Sequence, residues 1–340
     1  MIVSRAPTRI SFAGGGTDLP DIVKKIGGCV TSVAINKYVY GSLKERNDGI
    51  ITIKSVSPDK EEETELKVGE KIVYDGRLDL IKSVLEEFAV DKGFDIVVKT
   101  DVPSHSGLGA SAAAFAAVIG LFDYFYKSGM SKKEIAELAF RLEIEKLKNK
   151  VGKQDQYASA FGGLNFIEFK KDMSVEIKPL AVDKKIVSEL EQNILLFYIA
   201  EREKTAGETV ASQTSAFSKG TTVEGFTRTK ELGLEARKAL ENNDLEVFGD
   251  VIAKVWKYKK MFGGVTSPFI DEIYETAVIN GAYGGKISGA GGGGCGFWLC
   301  KHGRVEQVKK ALEEKGAKNI PFKFDFDGLK VWEDEQGCFS

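Results

Sequence analysis

The chain of 340 residues predicts an α+β protein of two domains, and three observations carry that prediction. Its first hundred residues read mostly as strands, in runs rich in Val, Ile and Tyr separated by turn residues. Beyond residue 200 the apolar residues recur at three and four spacing, the period of helices packed on one face. Near the end two strand patterns flank a helix, so strands and helices interleave, as in a sandwich of one sheet and one helical layer.

In chain order, strands are expected at Ile2 to Phe12, Cys29 to Glu45, Ile50 to Val56 and Phe94 to Lys99. Pro58 to Gly69, acidic and lysine-rich, reads as a solvated loop or a ragged edge strand, and Asp79 to Asp91 as a helix. Ser111 to Tyr126 is alanine-rich and apolar, too short to span a bilayer and long enough for a buried helix. Ser131 stands three residues before Glu134, at the head of an apolar periodicity that reaches Leu147. That is a capping box, in which hydroxyl and carboxylate each accept the other residue's backbone N–H. Val151 to Gln154 reads as a glycine-bearing loop, followed by strands at Leu164 to Phe169 and Val175 to Pro179. A charge-rich stretch, Val182 to Gln192, precedes the strand Ile194 to Ile199. The domain boundary is placed there, with residues 1–190 in a first domain and 191–340 in a second. Helices follow at Ala206 to Phe217, Val223 to Glu241, Leu245 to Tyr258 and Phe269 to Asn280. The strands Gly296 to Cys300 and Asn319 to Phe324 then flank the helix Val305 to Lys315.

Composition narrows the function. Lys and Arg number 48 against 50 Asp and Glu, which gives no reason to expect a polyanion-binding surface, so nucleic acid is not an expected partner. With two histidines a histidine-rich metal centre is excluded, and the scattered Cys29, Cys295, Cys300 and Cys338 read as free thiols. The opening MIVSRAPTRISF has no long apolar segment and no spanning helix is visible, so a cytoplasmic protein that does not enter membranes is expected.

Four segments can carry chemistry. In Pro103-Ser104-His105-Ser106-Gly107-Leu108-Gly109-Ala110-Ser111-Ala112 an expected strand enters a loop with paired glycines, and a long helix begins. Converging backbone N–H groups and the positive end of the helix dipole suit a phosphate, although a bare tight turn would use the same glycines. The loop is neither a Walker A motif nor a dinucleotide fingerprint. Gly289 to Gly294, Gly291 and Gly292 included, is a run of small residues that suits close backbone approach to a ligand or to the phosphate loop. Near the N-terminus Arg9 and Asp18 flank the turn Gly14-Gly15-Gly16-Thr17, an arrangement that also fits a surface ion pair. Lastly, Asp155 in Gly152-Lys153-Gln154-Asp155-Gln156 stands at the mouth of a loop, after a helix bearing Glu143 and Glu145. One carboxylate of that helix could face inward as an oxygen ligand for Mg²⁺.

These residues resemble the GHMP kinases, the superfamily of galactokinase, homoserine kinase, mevalonate kinase and phosphomevalonate kinase. Its three signature regions have counterparts at Arg5 to Asp18, Pro103 to Ala113 and Lys286 to Gly294. The segments APTRISFAGGGTDLP, GKQDQYASAFGG and FKFDFDGLKVW are similar to the branch that phosphorylates heptose phosphates. The resemblance implies a first domain like the second domain of ribosomal protein S5, a ferredoxin-like second domain and an active site between them. It implies ATP and Mg²⁺ as cofactors and, as substrate, the sugar phosphate D-glycero-D-manno-heptose 7-phosphate, phosphorylated at its anomeric hydroxyl. By the same matching Asp155 is the catalytic aspartate, Arg9 the arginine beside it, Ser111 and Glu143 the magnesium ligands, and residues 103–112 the nucleotide loop. Asp18 falls on a substrate position, with Gly15, Gly16, Thr17, Gly291 and Gly292, and Lys153 is a candidate for the substrate's own phosphate.

Two departures stand out. Galactokinase-type chains carry Gly-Glu-His-Thr-Asp where this one has Gly14 to Asp18, and Ala110 replaces the first serine of the usual Gly-Leu-Gly-Ser-Ser-Ala. Other acceptors, L-fucose or a mevalonate-like acid, stay open, as do a non-catalytic binding relative and the oligomeric state, a homodimer included.

Overall fold

The computed structural model describes residues 1–202, 206–218 and 222–334. The first half runs β1 (Ile2–Ala13), α1 (Pro20–Ile26), β2 (Gly28–Arg46), β3 (Ile50–Val56), β4 (Glu61–Lys67), α2 (Asp79–Glu87), β5 (Gly93–Thr100), α3 (Ala110–Tyr126), α4 (Lys132–Glu145), α5 (Gln154–Phe161), β6 (Leu164–Phe169) and β7 (Val175–Pro179). The second runs α6 (Lys184–Asn193), β8 (Ile194–Ala200), α7 (Ala206–Ser218), α8 (Val223–Glu241), α9 (Leu245–Lys260), α10 (Pro268–Ile279), β9 (Ala282–Ile287), β10 (Gly294–Cys300), α11 (Val305–Glu314), β11 (Lys318–Asn319) and β12 (Lys330–Glu333).

One sheet has the order β12-β1-β2-β5-β3-β4, with β6 paired to β2 and β7 to β6. β2 is long enough to divide its partners, Val39–Arg46 pairing with β5 and Gly28–Val33 with β6. The acidic segment forms β4, antiparallel to β3, and its alternate residues face solvent, where charge discourages further pairing. α3 packs on β1 and β2, and every residue from Ala112 to Phe122 except Ala114 is buried. A helix apolar on all sides needs such enclosure. The capping box expected at Ser131 and Glu134 is present at the head of α4.

The second sheet, β11-β8-β10-β9, is antiparallel throughout. α8 and α9 fill the space between it and the first. There Phe12 of β1 meets Phe248 of α9 and Phe297 of β10 edge to face, with ring centroids 5.4 and 5.7 Å apart. Such aromatic contacts join the two halves into one core.

The structure departs from expectation in four places. Val151 to Gln154 was expected as a loop, yet Gln154 opens α5 and Asp155 lies in its first turn. α5 hides from periodicity because Gln154, Gln156, Tyr157, Ala158, Ser159 and Ala160 are all buried, so no polar face marks it. The charge-rich stretch folds as α6, with Val187 and Leu190 turned to the core. Asn319 to Phe324 was expected as a strand but pairs only at Lys318–Asn319. Pro321 has no N–H to donate, and the chain crosses to the first sheet, where Lys323 O accepts from Asn36 N and Phe324 bridges Ile35. Finally, β12 pairs with β1, so residues expected to close the second domain end in the first sheet.

Among the described residues no helix is long and apolar enough to cross a membrane. Cys29, Cys295 and Cys300 are buried free thiols, and Cys338 lies outside the described residues.

Candidate active site

Where the two sheets meet, a cleft with a cavity volume of about 240 Å³ is lined by both glycine loops. After β5 the chain turns through the first of these into α3, with Gly107 and Gly109 at φ +80° and +81°. Gly109 is the N-cap of α3 and no side chain caps the helix there. The first-turn N–H groups are therefore left for a ligand, with the positive end of the dipole behind them. Gly109, Ala110, Ser111 and Ala112 line the cleft.

β1 anchors this loop: Arg9 N donates to Leu108 O at 2.9 Å and Arg9 Nη1 to Gly107 O at 2.8 Å. The same guanidinium grips Asp155, Nε to Oδ1 and Nη2 to Oδ2, at 2.7 Å each. Arg9 is buried, whereas the Asp155 side chain keeps 26% of its exposure and lines the cleft. A side chain at Gly109 would be strained, at φ +81° and with its Cβ pressed to 3.1 Å from Asp155 Oδ2.

Asp18 is buried beside them. It accepts from Gly16 N and from both the backbone and side-chain nitrogens of Gln154, the last at 2.8 Å. Burial raises its pKa and the charge of Asp155 adds to the effect, against the backbone N–H groups. A Cβ on Gly152 would come within 1.8 Å of Asp18 Oδ2, so that glycine makes room for the carboxylate.

Glu143, from α4, accepts from Ser111 Oγ at 3.2 Å and from Gln156 Nε2 at 2.9 Å. Burial pushes its pKa up to about 7 and the Asp155 charge contributes, while the bonds from Gln156 and Ser111 act the other way. Gln156 Oε1 is buried without a partner. Among the described residues no three His, Cys, Asp or Glu side chains come together as a metal cluster. The oxygens of Ser111 and Glu143 nevertheless fit Mg²⁺, which takes one or two protein ligands and completes its shell with water and phosphate oxygens.

The second glycine loop packs on the first. Cys295 N donates to Ser106 O at 2.7 Å, and a Cβ on Gly294 would stand 2.6 Å from that carbonyl. Two cations fasten the loop: the buried Lys259 Nζ donates to Ile287 O and Gly289 O at 2.7 Å each, and the half-buried Arg202 donates to Gly293 O and Ser288 O. Burial, with Lys286 nearby, holds the Lys259 pKa well below the usual lysine value.

Of the residues anticipated from sequence, Arg9, Gly15, Gly16, Asp18, His105, Ser106, Gly107, Gly109 to Ala112, Glu143 and Asp155 line the cleft. Others do not. Thr17 is turned inward, its hydroxyl bonded to Gly14 O and accepting from Cys29 N. Leu108 is buried in the core, and Pro103 and Ser104 lie outside the lining, with Ser104 N bonded to Asp59. Gly291 faces Val265 and Gly292 donates to Val265 O, leaving Gly289 and Ala290 at the cleft. Lys153 is not brought to the cleft either. Its ammonium is taken by Glu137 at 2.8 Å and by Met173 O, because the start of α5 turns it toward α4. Sequence reasoning quoted Gln154 and Gln156 beside Asp155 without giving them a role, and missed Arg202 and Lys259, which no local pattern marks. Lys286 heads the third signature region, yet nothing in its neighbours distinguished it from a surface lysine.

An uncapped helix start, a pinned glycine loop and a carboxylate held by arginine beside the oxygens of Ser111 and Glu143 suit a phosphotransferase. Two family models match the chain, the GHMP kinases N terminal domain over residues 77–163 and the GHMP kinases C terminal domain over 236–318. The D-glycero-alpha-D-manno-heptose 7-phosphate kinase of Campylobacter jejuni subsp. jejuni is 33% identical, with 97% of this chain and 98% of that protein covered. A galactokinase of Haemophilus influenzae is 26% identical over 94% of this chain and 91% of its own. The crystal structure of a D-glycero-D-manno-heptose 1-phosphate kinase from Bacteroides thetaiotaomicron matches with a TM-score of 0.81 at 28% identity, covering 99% and 100%. The chain belongs to the GHMP kinases, ATP-dependent phosphotransferases. Membership implies ATP and Mg²⁺ dependence and a sugar or other small molecule as acceptor.

Proposed function

We propose that this kinase transfers the γ-phosphate of ATP to the anomeric hydroxyl of D-glycero-D-manno-heptose 7-phosphate, giving the 1,7-bisphosphate. The observation that carries the choice of acceptor is the end-to-end likeness, at 33% identity, to the Campylobacter enzyme named for that sugar phosphate. Gly15 and Gly16 support it, since this chain lacks the Glu and His that galactokinase-type chains carry there. The sugar's own phosphate calls for a cation at the cleft. With Lys153 engaged by Glu137, Lys150 in the cleft lining takes that place.

In this reading residues 1–190 carry the nucleotide and 191–340 close over it. Asp155 accepts the hydrogen bond of the attacking hydroxyl and orients it in line with the transferring phosphoryl group. Arg9 fixes both carboxylate oxygens and sets a positive charge beside the developing negative charge. The first turn of α3 and the N–H groups of the loop receive the phosphates. Ser111 and Glu143 would hold Mg²⁺, which supplies charge neutralisation at the phosphate oxygens.

A coupled ADP-release assay over a panel of acceptors tests the assignment. A far higher kcat/KM is expected for D-glycero-D-manno-heptose 7-phosphate than for galactose, L-fucose or mevalonate. Preference for any of the last three would replace the acceptor and leave the kinase class in place.

A further inference from the structure

Beside Gly15 lie two buried polar atoms without partners and the side chain of a buried lysine. Lys286 of β9 is 2% exposed, and its ammonium makes no hydrogen bond or ion pair among the described residues. The Ser11 hydroxyl, on a residue 3% exposed, and Gln154 Oε1 are likewise without a partner. The three side chains converge on one place. A Cβ on Gly15 would stand 2.9 Å from Ser11 Oγ, 3.6 Å from Gln154 Nε2 and 3.6 Å from Lys286 Nζ. Gly15 and Gln154 both line the cleft, so the notch adjoins it.

A buried ammonium with no counter-ion is among the costliest groups a protein can enclose, and buried polar atoms without partners are rare. Burial, followed by the Arg9 guanidinium, lowers the Lys286 pKa to about 7, with Asp18 and Asp155 acting the other way. Folding alone does not account for such a group, whereas a ligand that completes its hydrogen bonds does.

The donor set indicates what that ligand is. Lys286 offers only donors and the Ser11 hydroxyl offers either sense. The Gln154 amide is oriented by Asp18, whose carboxylate accepts from Nε2 at 2.8 Å, which leaves Oε1 as its unpaired acceptor. A phosphate oxygen would suit the first two groups and be repelled by the amide oxygen. A sugar hydroxyl suits all three, accepting from Lys286 or Ser11 while donating to Gln154.

We infer that Lys286, Ser11 and Gln154 form a subsite for a hydroxyl of the acceptor sugar, and that the missing side chain at Gly15 keeps it open. This rests on the reading that the acceptor lies at the Asp18 and Asp155 end of the cleft. Lys286 is then a residue that sets acceptor affinity and specificity, not one that takes part in phosphoryl transfer.

Two variants test it, Lys286→Met and Gly15→Ala. Gly15 does not have the left-handed φ of Gly14 and Gly16, so alanine can adopt its backbone. Acceptor KM is measured with D-glycero-D-manno-heptose 7-phosphate and, in parallel, with galactose and L-fucose. Mg-AMPPNP affinity without sugar is measured by titration calorimetry, and melting curves come from the same preparations. Both variants should raise acceptor KM at least tenfold with nucleotide affinity within twofold of wild type. Lys286→Met should melt at or above the wild-type temperature, because it removes a buried unpaired charge. If the heptose phosphate is not used but another sugar is, the acceptor assignment fails, and the KM ratio on the sugar that is used still decides the subsite. Unchanged acceptor KM in both variants would overturn the inference, as would loss of fold in Lys286→Met, which would make the ammonium structural.

Discussion

Asparagine at position 155 should leave the enzyme folded and nearly inactive, and the geometry says by how much on each count. Asp155 accepts from Arg9 through both oxygens at 2.7 Å. Asparagine can accept through only one, and its amide NH₂ would turn a donor toward a guanidinium donor. Arg9 is 2% exposed and cannot recover the lost bond from water; Gly107 O, at 2.8 Å, remains its other acceptor. Losing one hydrogen bond between charged groups costs roughly 1.5–3 kcal/mol. For 340 residues unfolding with about 2.1 cal/mol/K of entropy each, that lowers the melting temperature by roughly 2–4 °C. On the proposed role of Asp155, orienting and accepting from the attacking hydroxyl, its removal should lower kcat by about 10²–10⁴-fold, or roughly 3–5 kcal/mol of barrier. The chemical loss exceeds the structural one, so the two separate at 25 °C. The assay is steady-state turnover with saturating ATP and acceptor from pH 6 to 9, with Mg-AMPPNP binding and a melting curve on the same preparation. Near wild-type kcat across that range would remove Asp155 from the chemistry.

Two further outcomes are expected. Gly109→Ala places a Cβ 3.1 Å from Asp155 Oδ2 at φ +81°, a conformation that costs an L residue roughly 1–2 kcal/mol; kcat should fall and KM for ATP should rise with the fold retained, and wild-type kinetics would refute the packing of loop against carboxylate. The folded pKa of Lys286, about 7, lies below the unfolded lysine value of 10.5, so between these pH values the unfolded chain holds the proton more tightly and stability rises with pH. With Arg9, Lys259, Asp18 and Asp155 as the charges around it, wild type should gain on Lys286→Met by about 1 kcal/mol per pH unit between pH 7.5 and 9 in urea denaturation; parallel curves would show that the ammonium is not buried as described.

Sequence alone determined the elements whose pattern is local. Runs rich in Val, Ile and Tyr between turn residues marked β1, β2, β3 and β5, and Ser131 with Glu134 marked the start of α4. The paired glycines before an alanine-rich helix marked the loop that lines the cleft, because left-handed backbone and an uncapped helix start leave a trace in residue type. The residues by themselves singled out Arg9, Asp18, Ser111, Glu143 and Asp155, and the resemblance gave them roles; all five line the cleft.

What tertiary structure alone decided lies where burial overrides pattern. α5 has no solvent face, so its period disappears and Asp155 read as a loop residue. Lys153 and Lys286 are both lysines in glycine-bearing segments, and sequence put forward the first. The fold turns Lys153 toward Glu137 and Met173 O, whereas Lys286 is enclosed beside Arg9, Asp18 and Asp155 with no partner for its ammonium. A lysine's place in a site depends on which groups surround it across 100 or more residues of chain, and β9, β1 and α5 come together only when the two sheets close on the core between them.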